Sequence, residues 1–286
     1  MDRVPLGTDE ALFRSLHRKY CDEVHPLPPW DKLDASALSD AAREDLRRAW
    51  SARVVAEYRS MVVFSEIIAR IPEVGLPLEV SCATSRLLQD EARHTELCAQ
   101  LADKLGGTQD AVLNRNDLHL ADDSLNPALF VARWTVSMFC VGECASVSLL
   151  QALAREAGDP CVQRILDTLL RDEVLHDRFG WALARLVVPK LTDDEREWLS
   201  ADLAFTLAHY DRANGRRMRL DGAPLPEQIS REDGTQQFGL IHASTYARAW
   251  YQRLDSVILP GLKTLGLSSY EAWALRHEAS EVAASG

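Results

Sequence analysis

The sequence predicts an all-α fold: a four-helix bundle with a long crossover between helices 2 and 3, followed by further C-terminal helices. Three observations predict it. Apolar residues recur at spacings of three and four through four long stretches, the signature of helices with one buried face. Proline and glycine break these stretches in a short, long, short order of connections. The pattern Asp-Glu-x-x-His occurs twice, at Asp90-Glu91-Ala92-Arg93-His94 and at Asp172-Glu173-Val174-Leu175-His176, once in the second stretch and once in the fourth. Residues three apart share a helix face, so each copy offers a carboxylate beside an imidazole.

The 286 residues are 47% hydrophobic, enough to bury a sizeable core. A net charge of -11 argues against nucleic acid and against anionic membrane surfaces as partners. Neither a basic, then apolar N-terminal segment nor an uninterrupted apolar run of membrane-spanning length stands out, so a cytoplasmic location is expected. The six cysteines (Cys21, Cys82, Cys98, Cys140, Cys144 and Cys161) form no Cys-x-x-Cys pair. This disfavours zinc-ribbon and rubredoxin-like sites and suggests reduced thiols packed as small apolar groups.

Residues 1–38 read as an N-terminal arm. A short helix is expected from Ala11 to Tyr20. The run His25-Pro26-Leu27-Pro28-Pro29-Trp30 reads as an extended strap that Trp30 anchors. Residues 39–190 hold the bundle. The first helix is expected from Ser39 to Ile71, with Trp50, Val54, Glu57, Met61 and Phe64 on one face. Pro72 to Pro77 make a short turn, and the second helix runs from Leu78 to Leu105 with Glu91, His94 and Cys98 facing inward. Gly106-Gly107 end it.

Residues 107–125 are long, polar and not periodic, which a crossover along the bundle explains. Asn126-Pro127 then start the third helix as N-cap and first helical residue. It runs to Ala157 with Phe139, Cys140, Glu143 and Val147 inward. Gly158-Asp159-Pro160 turn the chain into the fourth helix, which ends near Val188. Residues 191–286 read as a helical extension packed on the bundle. Thr192-x-x-Glu195 is a capping box, a sixth helix spans His242 to Leu262, and a seventh starts at Ser268. Between the fifth and sixth helices lies a loop, 214–239, with Arg216, Arg217 and Arg219.

Short turn, long crossover, short turn is the connection order of a ferritin-like bundle. The glutamates agree with it. Residues equidistant from a hairpin turn lie at one height. Glu143 and Glu173 are symmetric about Gly158, and Glu57 and Glu91 are symmetric about the Pro72–Pro77 turn. Pairing Glu66 with Glu91 instead would displace it by about nine residues, or about 13 Å at the helical rise. Four carboxylates and two imidazoles on facing helices suit iron or manganese.

The set Glu57, Glu91-x-x-His94, Glu143, Glu173-x-x-His176 resembles the ferritin-like di-iron carboxylate superfamily over residues 39–188. The resemblance implies two iron ions, or a manganese/iron pair, per chain. Glu91 and Glu173 would bridge them, Glu57 and Glu143 would be terminal ligands, and His94 and His176 would each cap one ion. It further implies that Asp90 supports His176 and Asp172 supports His94 across the bundle. Rubrerythrin is disfavoured by the missing Cys-x-x-Cys. The extra histidine of arylamine N-oxygenases would fall at Leu169. What remains is an oxidase or oxygenase that uses dioxygen on a small organic substrate, with an electron donor or reductase as partner and homodimerisation possible. The alternative is a ferroxidase or a metal-binding protein without organic substrate. Gly180 in mid-helix, level with Met61 and Cys140, marks the side where a substrate cavity is expected. Arg53 and Cys98 mark the opposite side.

Overall fold

The computed structural model describes residues 2–3, 27–114, 118, 120, 125–219 and 224–285. The expected helix from Ala11 to Tyr20, Cys21, and the first strap residues His25 and Pro26 lie outside the described residues. Among those described, the fold is all-α with seven helices. The one strand pair is two residues long: β1 (Asp2–Arg3) pairs antiparallel with β2 (Val112–Leu113) in the crossover.

Helix α1 spans Asp40–Arg70, and its Ser39 N-cap accepts a hydrogen bond from the Ala42 N–H. Helix α2, Leu78–Lys104, returns along it after the proline turn and packs against its length. Helix α3, Pro127–Glu156, starts at the Asn126 cap, whose side chain accepts from the Leu129 N–H. Helix α4, Pro160–Val187, starts at Asp159, whose carboxylate accepts from the Cys161 and Val162 N–H groups. The expected ends of all four hold to within two residues, because capping and breaker residues act locally.

One feature of α3 was not legible. Thr135–Glu143 winds as a π-helix between two α-helical halves. Such segments are rare and shift the face that the following residues present. The apolar pattern of this stretch is nearly continuous, so its period carried no sign of the widened turns.

The extension explains that continuity. Helix α5, Asp193–Tyr210, packs on the π segment, and helix α6, Ala243–Arg253, packs on the second half of α3. Helix α7, Ser269–Ser285, lies on α5. Thus α3 has α4 on one side and the extension on the other. Length and composition alone would let α3 cross a membrane, contrary to the expectation that no run is long enough, but most of it is buried inside the fold. A core helix surrounded by protein meets the same solvent-free condition as a membrane helix.

The loop before α6 clamps the end of the bundle. Gly158 and Asp159 donate to the Gln237 carbonyl at 3.1 and 3.2 Å, and Trp50 Nε1 donates to the Phe238 carbonyl at 2.9 Å. Trp30 packs on the core with the Lys104 ammonium 5.3 Å from its ring centroid, so it anchors the strap as expected.

Candidate metal centre

The six residues singled out in the sequence come together in the middle of the four helices. Ligand atoms of Glu57, Glu91, His94 and Glu173 all lie within 4.8 Å of one another, and so do those of Glu91, Glu143, Glu173 and His176. Glu91 and Glu173 belong to both groups. Helix α1 contributes Glu57, α2 contributes Glu91 and His94, the last π residue of α3 contributes Glu143, and α4 contributes Glu173 and His176. Glu66, the competing acid, sits at the surface and pairs with Arg70.

Both imidazoles turn Nδ1 toward the centre. His94 Nδ1 is 3.4 Å from Glu173, 3.6 Å from Glu57 and 3.9 Å from Glu91. His176 Nδ1 is 3.1 Å from Glu91 and 3.7 Å from Glu173. The opposite nitrogens face the aspartates of the other motif. His94 Nε2 lies 3.1 Å from Asp172, a hydrogen-bond distance, and His176 Nε2 lies 3.7 Å from Asp90, an ion-pair distance only. A carboxylate behind an imidazole fixes its tautomer and aims the other nitrogen.

Arg93 joins the two halves, and sequence reasoning missed it. Its buried guanidinium bonds Asp90 on its own helix at 2.8 Å and also Asp172 on α4. The signal was present in the i, i+3 spacing of Asp90 and Arg93. The second motif misled, because the equivalent position is Leu175, which is 46% exposed. Arg86 adds a second cation on Asp90.

Burial and mutual repulsion dominate the electrostatics. Burial pushes the Glu91 carboxyl up to about 8, against the pull of His176. Burial and the negative charge of Glu173 raise Glu143 well above the carboxylate range, so Glu143 keeps its proton. That proton is shared with Glu173, which is held near 2 despite its burial by this hydrogen bond and by His176 and His94. Burial disfavours charge on the imidazoles, yet their carboxylate neighbours outweigh it. His176 rises to about 10, and His94 rises well above its ordinary value. Without a metal, protons and imidazolium charge offset the crowded acids.

Several of these buried atoms have no hydrogen-bond partner: both oxygens of Glu91, Glu173 Oε2, and the Nδ1 atoms of His94 and His176. Buried polar atoms left this way are costly and uncommon. The residues that carry them form the two overlapping groups, whose donor set is hard oxygen with imidazole nitrogen. The cluster can hold a metal ion.

The room expected at Gly180 is filled. Gly180 faces Phe139 rather than open space, and a Cβ added to it would overlap the Phe139 Cβ. Phe139 stacks on Phe64 with centroids 4.6 Å apart, and Phe179 closes on it at 5.2 Å. Cys140 is fully buried, while Met61 is partly exposed. The glycine is there so that α3 and α4 can approach closely. Glu57 retains 16% of its side-chain exposure, the most of any of the six.

No protein-family model matches this chain, and no curated protein is significantly similar to it.

Proposed function

We propose that this chain is a di-iron, or manganese/iron, carboxylate enzyme of the ferritin-like superfamily that uses dioxygen to oxidise or oxygenate a small organic substrate. The observation that carries the reading is the pair of overlapping four-residue groups with Glu91 and Glu173 common to both. Each group would hold one ion, and the four carboxylates would offset the charge of two divalent cations. Bound iron would supply the redox chemistry by which dioxygen is reduced.

The chain's own residues set the conditions for that chemistry. Glu91 and Glu173 take the shared positions, Glu57 and His94 complete one group, and Glu143 and His176 complete the other. Asp172 and Asp90 hold the imidazoles from behind, and Arg93 holds both aspartates. Phe64, Phe139 and Phe179 exclude water from one side, with Phe64 edge-on to His176 at 6.0 Å. Glu57 is the most exposed of the six, and substrate and dioxygen would reach the centre past it; Arg53 and the buried Cys98 lie one helical turn from Glu57 and His94.

Metal analysis after anaerobic Fe(II) loading tests the reading. The wild-type chain should bind two ions. Glu91→Ala and Glu173→Ala should each lose both, since each removes a shared ligand. Full metal content in both variants overturns the assignment. Dioxygen uptake separates the alternative: an oxygenase takes up dioxygen once per loading without substrate, whereas a ferroxidase consumes added Fe(II) repeatedly.

A further inference from the structure

A row of aromatic side chains, partly buried at Tyr210 and fully buried at Trp250 and Tyr251, leads from beside Glu143 into the C-terminal extension. Tyr210, the last residue of α5, lays its hydroxyl against the α3 backbone at Gly142, the residue before Glu143, where a Cβ would overlap it. Its ring stacks on Trp250 at 6.2 Å and 27°. Trp250 is fully buried, and its Nε1 has no hydrogen-bond partner. Trp250 and Tyr251 crowd one point. A Cβ built on Gly215 would lie 2.6 Å from the Tyr251 hydroxyl and 2.8 Å from Trp250 Cδ1. The Tyr251 hydroxyl donates to Asp211 Oδ1 at 2.7 Å and accepts from the Arg219 N–H at 3.1 Å.

The outer end of this row is basic in an acidic protein. The Arg219 guanidinium lies 5.4 Å from the Tyr251 centroid and pairs with Asp255 at 2.6 Å, and Arg216 and Arg217 beside it are exposed. Both hold left-handed backbone conformations, with φ of 52° and 54°. Non-glycine residues are held there only where their surroundings impose it, and such sites cluster at functional positions. The three π-helical segments of the described chain border the same row: Thr135–Glu143 ends at Glu143, Asp211–Gly215 follows Tyr210, and Leu254–Ile258 closely follows Tyr251. Such segments recur at functional sites more often than chance allows.

We propose that Tyr210, Trp250 and Tyr251 form a one-electron route between the metal centre at Glu143 and the basic surface at Arg216, Arg217 and Arg219. The inference rests on the redox-metal reading above. Tyrosine and tryptophan are among the most easily oxidised side chains, and these are close enough to exchange electrons in short steps. Tyr251 would give up one electron through Trp250 and Tyr210 toward the residues that would hold the metal. The phenolic proton of Tyr251 crosses its hydrogen bond to Asp211. An external anionic one-electron donor then reduces the Tyr251 radical, and the proton returns from Asp211. The net change is one electron moved from donor to centre, with no proton gained or lost by the relay. The arginines draw an anionic donor to this end.

Flash photolysis runs the route from the outside. Fe(II)-loaded protein is held anaerobically with a carboxylate-bearing ruthenium polypyridyl complex and a cobalt(III) ammine as sacrificial electron acceptor, so that the flash generates the one-electron ruthenium(III) oxidant. A transient tyrosyl or tryptophan radical absorption should precede oxidation of the iron. Tyr251→Phe and Tyr210→Phe each remove one hydroxyl and keep the ring packing. Each should slow iron oxidation about tenfold or more, the size of effect produced by a barrier change of about 1.4 kcal/mol. Trp250→Phe should do the same, whereas Trp198→Phe on the outer face of α5 should change nothing. Equal rates in wild type and the tyrosine variants, at equal iron content, overturn the route and leave the metal reading standing. A chain that holds no iron overturns both.

Discussion

Arg93 is where the two Asp-Glu-x-x-His motifs stop being equivalent. It stands between Asp90 and Asp172, and the exposed Leu175 fills its place in the second copy. Removing a buried cation leaves two buried carboxylates short of a partner, which costs roughly 3–5 kcal/mol. Arg93→Met should therefore lower the denaturation midpoint of the metal-free protein sharply, as chemical denaturation would show. The histidine supports are also unequal. Asp172 is within hydrogen-bond reach of His94, while Asp90 stands at 3.7 Å from His176. Asp172→Ala should lower metal affinity by about ten- to a hundredfold, the usual loss for such a support, and Asp90→Ala should lower it less. Competition titration with a chromogenic chelator measures both, and the reverse order would show that the hydrogen-bond distance does not govern the effect.

At the scale of elements, the site depends on how closely α3 approaches α4. Gly180 permits that approach by meeting Phe139 with no side chain of its own. Gly180→Ala forces the two helices apart. An overpacked core contact of this kind costs roughly 1–3 kcal/mol. The shift also moves Glu143 away from Glu173, so metal content should fall along with the thermal midpoint. Unchanged metal content would mean that the π segment absorbs the displacement. Helix α5 makes a simpler case. Thr192 and Glu195 cap it reciprocally, the Glu195 N–H donating to Thr192 Oγ1 at 3.3 Å and the Thr192 N–H donating to Glu195 Oε2 at 2.7 Å. Thr192→Ala should cost about 1 kcal/mol in a thermal melt and leave the metal site untouched. The caps of α1, α3, α4 and α5 were all readable from four or five residues each. The π segment was not, because nothing in a continuous apolar run distinguishes its widened turns.

The whole molecule is set against its own charge. The metal-free fold gathers four glutamates in one cluster, three of them buried, and tolerates the buried acids by binding protons. Glu91 is raised from 4.5 to about 8, and His176 is raised from 6.5 to about 10. A group whose folded pKa is raised adds stability that is complete below its unfolded pKa and is lost as pH climbs through the folded value. For Glu91 that loss runs from 4.5 to about 8, and for His176 from 6.5 to about 10. The metal-free protein should therefore lose stability steadily from neutral pH upward. Glu173 and Asp172 act in the opposite sense, because their pKa values are depressed, and their contribution is lost only in strong acid. Metal ions replace the protons. Ligands must deprotonate to bind, so metal affinity rises with pH. Metal binding to the folded state raises stability by mass action. The gap in melting temperature between iron-loaded and metal-free protein should widen from pH 6.5 to pH 9, a range drawn from these raised values. A gap that narrows over this range would show that the cluster is not neutralised by protons.

The amino-acid sequence by itself determined the helices, their caps, the order of short and long connections, and the six residues that meet at the centre. These follow from local rules: periodicity sets which face is buried, and distance from a turn sets height along a hairpin. Three things were decided only by the tertiary structure. Arg93 joins the motifs because α2 and α4 face each other there, and Leu175 occupies its counterpart without a matching role. Gly180 fits against Phe139 rather than leaving space, since glycine reads the same whether it admits a ligand or another helix. The row from Tyr210 to Tyr251 exists because α5 and α6 pack on opposite parts of α3 and bring together residues from distant parts of the chain. Side chains that meet only through packing carry no spacing rule, and only the fold can bring them together.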